Sequence, residues 1–362
     1  MSRRQFVITS LIAAAAVCGA PASAVAATDA SVVLRVMTHD SFDLPKELLE
    51  GFENQNGVKL ELIKGGDAGE MVNKLVLTKA NPVADVAYGI DNTLMPRAMA
   101  AGIVEPYAGP AALRKPAATM ADAANDTKAP AAPAAVVPVD YGYVTLNVDK
   151  AWFAKQGLAL PGSLQELTTP KYAKLLVVEH PATSSPGQAF VMATIAGMGE
   201  QAAFDWWAKM RANGVKVVKG WSEAYYTEFS RNGGAYPIVV SYASSPAAEV
   251  FYSKEKIEVS PTANLFLQGG VFRQVEGVAL IKGGNPQARE AGGAFIEFMR
   301  SAPVQEALQT TMWMFPAESG AKRVEVMRQH ASEPERFDNP TSADMNAKAK
   351  TWVQRWVKTV LK

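Results

Sequence analysis

The chain has 362 residues, of which 48% are hydrophobic and 20% charged, the make-up of an ordinary soluble globular protein long enough for two cores. Its formal charge of +1 includes Arg3 and Arg4, and without the first segment 34 basic residues face 35 acidic ones, so neither a nucleic-acid groove nor a polybasic membrane patch is expected. The single cysteine, Cys18, lies in that first segment, which leaves the remaining chain without disulfides, thiolate metal sites or cysteine nucleophiles.

The N-terminus reads as an export signal over residues 1–27: Arg3 and Arg4, an apolar run from Phe6 to Val17, then small residues with Ala-x-Ala sites ending at Ala24 or Ala26. The run is too short for an anchor, and Ser2-Arg3-Arg4-Gln5-Phe6 resembles the twin-arginine pattern. No later apolar run has transmembrane length, so the mature chain is expected free in the periplasm.

Next come a strand at Ser31 to Met37, a helix at Pro45 to Asn54, a strand at Val58 to Ile63, a helix at about Glu70 to Lys79, a strand at Val83 to Tyr88 and a helix at Leu94 to Ala101. The rhythm is that of a doubly wound α/β sheet, whose ligands sit beyond the carboxyl ends of the strands. The Ala- and Pro-rich stretch from Pro110 to Pro138 reads as a surface excursion. Val136 to Leu146 is a long strand suited to carry the chain into a second α/β domain, and Phe272 to Ile281 one that brings it back. Two lobes follow, one made of residues 28–139 and 264–362 and the other of 140–263, joined by two strands with a cleft between them. The last helix, with its stripe of Trp352, Val353, Trp356 and Val360, is expected to pack over the first lobe.

Four clusters bracketed by turns suggest a site: Thr183 to Gly187, Lys219 to Tyr226, Ser241 to Pro246 and Met312 to Pro316. Trp221 stands at a strand-to-helix turn, where α/β domains bind ligands. Ser184-Ser185-Pro186 and Ser244-Ser245-Pro246 put hydroxyls and free N–H groups at helix tips, able either to cap the helix or to grip an acceptor. Asp40, Asp67, Asp91 and Asp140 are placed at strand ends, where a carboxylate serves a turn or a cation. His39 is a cleft candidate, and the three histidines show no metal spacing. Tyr225 and Tyr226 would suit an iron-phenolate site only if adjacent helical side chains converged. No nucleophile elbow or phosphate loop is present.

Taken in order, Thr38-His39-Asp40-Ser41-Phe42, Gly89-Ile90-Asp91-Asn92, Val139-Asp140-Tyr141-Gly142-Tyr143, Lys219-Gly220-Trp221-Ser222-Glu223-Ala224-Tyr225, Ser241-Tyr242-Ala243-Ser244-Ser245-Pro246-Ala247 and Trp313-Met314-Phe315-Pro316 resemble the periplasmic thiamine-binding proteins, soluble receptors of ATP-binding-cassette importers. The resemblance implies a two-lobed type II binding-protein fold that closes on thiamine or its mono- and diphosphate and hands them to an inner-membrane permease. It implies no catalysis and no cofactor, with a monomer as the expected state. Carried over by position, it places ligand contacts on Asp67, Ser184, Ser185, Trp221, Tyr242, Ser244, Ser245 and Trp313, with backbone from Ala68 and Ala243. His39 and Ala248 replace tyrosines of the family pattern, which thins the aromatic cover. The rival readings are a receptor for ferric iron or a polyamine and, more remotely, a thiamine-processing enzyme, which would need a cysteine nucleophile.

Overall fold

The structure, a computed structural model, describes residues 32–120 and 134–362. The export segment, Cys18 and the centre of the Ala/Pro stretch lie outside the described residues.

The strands are β1 (Val32–Thr38), β2 (Val58–Lys64), β3 (Val86–Asp91), β4 (Val104–Glu105), β5 (Val137–Asp149), β6 (Leu176–Glu179), β7 (Lys216–Val218), β8 (Ile238–Tyr242), β9 (Thr262–Leu265), β10 (Phe272–Ile281) and β11 (Phe315–Pro316). They form one curled sheet in the order β2-β1-β3-β10-β5-β8-β6-β7, with β4 on β10 and with β9 and β11 on β5. Parallel pairing holds β1 to β2 and β3 in one half and β6 to β7 and β8 in the other. Helices cover both faces of such strands, which is why Val86–Asp91 is buried at every position.

Two lobes result, joined by the antiparallel pair β5 and β10, each long enough to belong to both. Every residue of the thirteen-residue β5 is buried, and on its two sides it meets β10 and β8. The expectation of a strand leading into the second lobe and another leading back is met, β5 extending past Leu146 to Asp149. Asp140, expected at a strand end, sits instead inside β5 and is fully buried. Three short strands escaped the sequence reading, β4, β9 and β11. With two residues each, β4 and β11 are too short to show any alternation, and β9, Thr-Ala-Asn-Leu, has a single large apolar residue.

The described ends of the Ala/Pro stretch are less of an excursion than its composition suggests. Ala111, Ala118 and Met120 are buried in the first lobe, and Tyr107 exchanges backbone hydrogen bonds with Ala134. Small side chains let the backbone lie close against the lobe.

The tail helix, Ser342–Val360, neighbours the Met95–Ala101 helix of the first lobe but turns its apolar stripe to the second. Trp352, Trp356 and Val360 join the core of the second lobe with Phe204, Trp206 and Trp207, and Trp356 meets Trp207 edge to face at 5.4 Å. The stripe revealed an apolar face, but the partner was decided by where the other large indoles lie. Trp356→Ala would open a large cavity there, and a loss of about 3–5 kcal/mol is expected in a denaturant titration. A loss below about 1 kcal/mol would mean the helix is dispensable to that core.

Candidate functional site

The ends of β1, β2, β6, β7 and β8 converge on a cleft of about 860 Å³ between the lobes. Its wall from the first lobe begins at Asp67, which caps the Ala68–Leu77 helix and accepts the Ala68 N–H at 2.7 Å. The same carboxylate reaches across to the second lobe and accepts the N–H groups of Trp221 at 3.0 Å and Ser185 at 3.4 Å. Beside it the Glu70 N–H donates to the Thr183 carbonyl at 3.1 Å, and Lys219 pairs with Glu70 at 2.8 Å. Gly69 permits this approach, since a Cβ there would lie 2.6 Å from the Thr183 carbonyl oxygen. Burial raises the Asp67 carboxyl, while the N–H donors of Trp221, Ala68 and Ser185 and the Ser184 hydroxyl oppose the rise. Asp67 thus faces the cleft with its oxygens already engaged, and it joins the two lobes.

On the second lobe Gly220 precedes a single helical turn, Trp221–Glu223, that runs into a π-turn at Ala224–Glu228. Gly220, rather than Ser222, holds the cap position, and Glu223 accepts the Lys219 N–H at 3.1 Å. Trp221 is fixed from three sides. Its Nε1–H donates to Ser241 Oγ at 2.9 Å, Tyr225 stacks on it at 5.2 Å, and Tyr242 meets it edge-on at 6.2 Å. Tyr225 and Tyr226 are turned 84° apart, and Tyr225 donates its hydroxyl to Glu249. They do not form a converging pair of phenolates.

Trp313 has a φ of 60°, the only positive value at a non-glycine among the described residues. Such strain in a bulky residue persists only where the surroundings impose it and gathers at ligand sites. Here Ser244 Oγ donates to the Trp313 carbonyl at 2.5 Å, and the indole packs edge-on against Phe251 and Tyr252.

Of the expected site residues, His39, Asp67, Ser185, Trp221, Tyr242, Ser244, Ser245 and Trp313 line the cleft. Ser184, Ala68 and Ala243 lie behind its wall and are buried. Ser184 Oγ accepts the Gly187 N–H and caps the Ser185–Met198 helix. Ser245 shares a hydrogen bond with Ser241 at 2.9 Å, and the Tyr242 hydroxyl donates to Gln274 at 2.7 Å. The hydroxyls of Tyr242 and Ser244 therefore tie one part of the wall to another, while those of Ser184 and Ser245 brace their own.

Among the cleft residues that the sequence did not single out are Tyr252 and Glu276. Tyr252 stands one turn beyond Ala248 at the end of the Ser245–Phe251 helix, on the same face by the i, i+4 rule. It supplies an aromatic ring where Ala248 has none, and that spacing was a signal available in the sequence. Tyr252→Ala is expected to weaken ligand binding about three- to tenfold, a change within the range of one partly exposed aromatic contact. Unchanged affinity by calorimetry would show that the ring serves only Trp313.

The lining is acidic, with seven aspartates and glutamates against Lys219 and Arg231, and both cations are paired, with Glu70 and Glu249 respectively. His39 is kept neutral. Burial, with Lys64 nearby, pushes its imidazole down to about 3. A base depressed in this way makes the unfolded chain take up the proton first, so its contribution to stability is whole above about pH 6.5 and is lost as the pH falls toward 3, by at most about 1.4 kcal/mol per pH unit. His39→Gln should flatten that part of the acid branch in denaturant titrations, and an unaltered slope would place the titration elsewhere.

A two-lobed α/β receptor closing on a small solute is what this fold and cleft define. The comparisons with known proteins give the family. The bacterial extracellular solute-binding protein model matches residues 81–348, and the chain belongs to that family. A thiamine-binding periplasmic protein of Escherichia coli is 30% identical, covering 91% of this chain and 94% of its own. One from Salmonella typhimurium is 28% identical over 95% and 96%. A solved periplasmic thiamin binding protein superposes with a TM-score of 0.76 at 28% identity, over 91% of this chain and 96% of that one. An iron-bound protein from Pseudomonas aeruginosa, 18% identical with a TM-score of 0.68, shares the fold.

Proposed function

We propose that the protein is a periplasmic receptor that binds thiamine in this cleft and delivers it to an inner-membrane ATP-binding-cassette permease, acting as a monomer without catalysis or cofactor. The observation that carries the reading is the pairing of aromatic walls, Trp221 on one side and Trp313 on the other, with an acidic lining whose two cations are neutralised. Thiamine offers a flat aminopyrimidine for such walls and a permanently charged thiazolium for such a lining, where a cation–π contact contributes roughly 0.5–2 kcal/mol. The named function of the relatives points the same way.

Sub-micromolar affinity requires about 8 kcal/mol, more than the ring contacts supply, and lobe closure through Asp67 adds the remainder. Thiamine mono- and diphosphate are taken more weakly, because each phosphate brings negative charge against the acidic lining. Ferric iron fits poorly. Among the described residues no group of three or more His, Cys, Asp or Glu is arranged to hold a metal ion. The lobes are assigned as residues 28–139 with the segment from 264 up to the tail helix, and 140–263 with that helix docked upon it.

The test is isothermal titration calorimetry of ligand-stripped, refolded protein. Saturable one-to-one binding of thiamine at or below micromolar concentration is expected, with putrescine failing to compete. Absence of heat with thiamine and both phosphates would overturn the reading.

A further inference from the structure

The strands that join the lobes also bury a group of acids beneath the cleft. On β10, Glu276 stands in register with Asp140 of β5 and Asp91 of β3, and Asp91, Asp140 and Glu276 are 0%, 0% and 5% exposed. Asp91 is satisfied by the Thr93 and Leu94 N–H groups, the Thr93 hydroxyl and Gln274. Asp140 and Glu276 have far less. Tyr88 donates its one proton to Asp140 Oδ2 at 2.5 Å and stands 3.4 Å from Glu276 Oε2. Asp140 Oδ1 has no hydrogen-bond partner, and the two carboxyls are close enough that each acts on the other's ionisation.

The groups facing the pair supply no positive charge. They are Asp91 and Tyr88 from β3, Asp67 from the helix cap, Tyr242 from β8 and His39 from the end of β1, with Glu179 acting on Tyr242 and Lys64 on His39 from β2. Two carboxylates so placed cannot both ionise. Burial, with the neighbouring acids, holds Glu276 well above the usual carboxyl range, and burial raises Asp140 to about 7. Glu276 reaches the cleft. Its Oε1 is 3.8 Å from His39 Nε2, an atom without a hydrogen-bond partner on a side chain nine-tenths buried.

We infer that Glu276, with the unpartnered His39 Nε2 beside it, is the cation-recognising floor of the cleft, and that the Asp140–Glu276 pair releases its shared proton to solvent when a cationic heterocycle binds. The inference rests on the thiamine reading and adds how the charge is recognised. No covalent bond other than the carboxyl O–H changes, and the ligand's fixed positive charge takes the place of the proton. Because binding and ionisation favour one another, affinity rises with pH, by up to about tenfold per unit where a full proton is released. An uncharged molecule of the same shape gains nothing from the ionisation, so the pair distinguishes cation from neutral isostere.

Calorimetry at pH 7 in two buffers of different ionisation enthalpy counts the protons released. Thiamine is expected to release between half a proton and one, with affinity rising severalfold from pH 6.5 to 8. Glu276→Gln should lose at least about tenfold in affinity, release none and show no pH dependence. A thiamine analogue with an uncharged thiophene in place of the thiazolium should bind the native protein and the variant alike, without release. Should Glu276→Gln fail to fold, Asp140→Asn serves in its place, and there the release should shrink because Glu276 no longer faces a second carboxylate. Thiamine binding by the native protein without proton release, or with equal release in the variants, overturns this inference and leaves the receptor reading standing. No thiamine binding at all overturns the receptor reading and this inference with it.

Discussion

Asp67→Ala is expected to lower thiamine affinity by at least about a hundredfold and to leave the lobes apart. The carboxylate holds the end of its own helix through Ala68 and, at 3.0 and 3.4 Å, the N–H groups of Trp221 and Ser185 on the other lobe. Losing a charged acceptor costs about 1.5–3 kcal/mol for each hydrogen bond, and it strands donors that a ligand-filled cleft shields from water. Two such bonds span the lobes, so the loss exceeds the roughly 2.7 kcal/mol that a hundredfold represents. Asp67→Asn keeps an acceptor oxygen without the charge and should fall between the native protein and the alanine variant. Small-angle scattering with and without thiamine separates closure from contact. A variant that closes normally with ligand yet binds weakly would show that Asp67 touches thiamine and does not latch the lobes.

Trp221→Ala should weaken binding by at least about tenfold, and unchanged affinity would sink the assignment of that wall. The indole is held by Ser241 and stacked on Tyr225, so the ring is set in place before a ligand arrives and little rotamer freedom is lost on binding. Its removal takes away a ring face and also uncovers Tyr225 and Tyr242 to water. The variant should fold, because Trp221 is only partly buried and belongs to a small cluster with Val218, Tyr225 and Phe229, away from the large indole core. A melting temperature within a few degrees of the native one would confirm that the lost affinity is local.

The amino-acid sequence by itself determined the α/β rhythm, the two connecting strands and most of the cleft's polar and aromatic residues. These are legible because a strand end followed by Ser-Ser-Pro or Gly-Trp-Ser is a local pattern, and local patterns set local structure. His39, Asp67, Trp221, Tyr242, Ser244 and Ser245 each stand at such a boundary, Trp313 stands in the cluster Met312 to Pro316, and all line the cleft.

What only the tertiary structure decided are the pairings over long separations. Nothing near Asp67 in sequence announces that its oxygens meet a residue 154 positions away. Nothing near Asp140 or Glu276 shows that one carboxyl faces the other, 136 positions apart by their numbering, across two joining strands. The tail stripe told of an apolar face without naming the indoles it would meet. Period and capping depend on neighbours within a few residues, whereas burial, charge coupling and lobe contact depend on which surfaces the finished sheet brings together. The choice of acids under the cleft belongs to that second kind, since a carboxyl in a strand reads the same whether water or another carboxyl lies across from it.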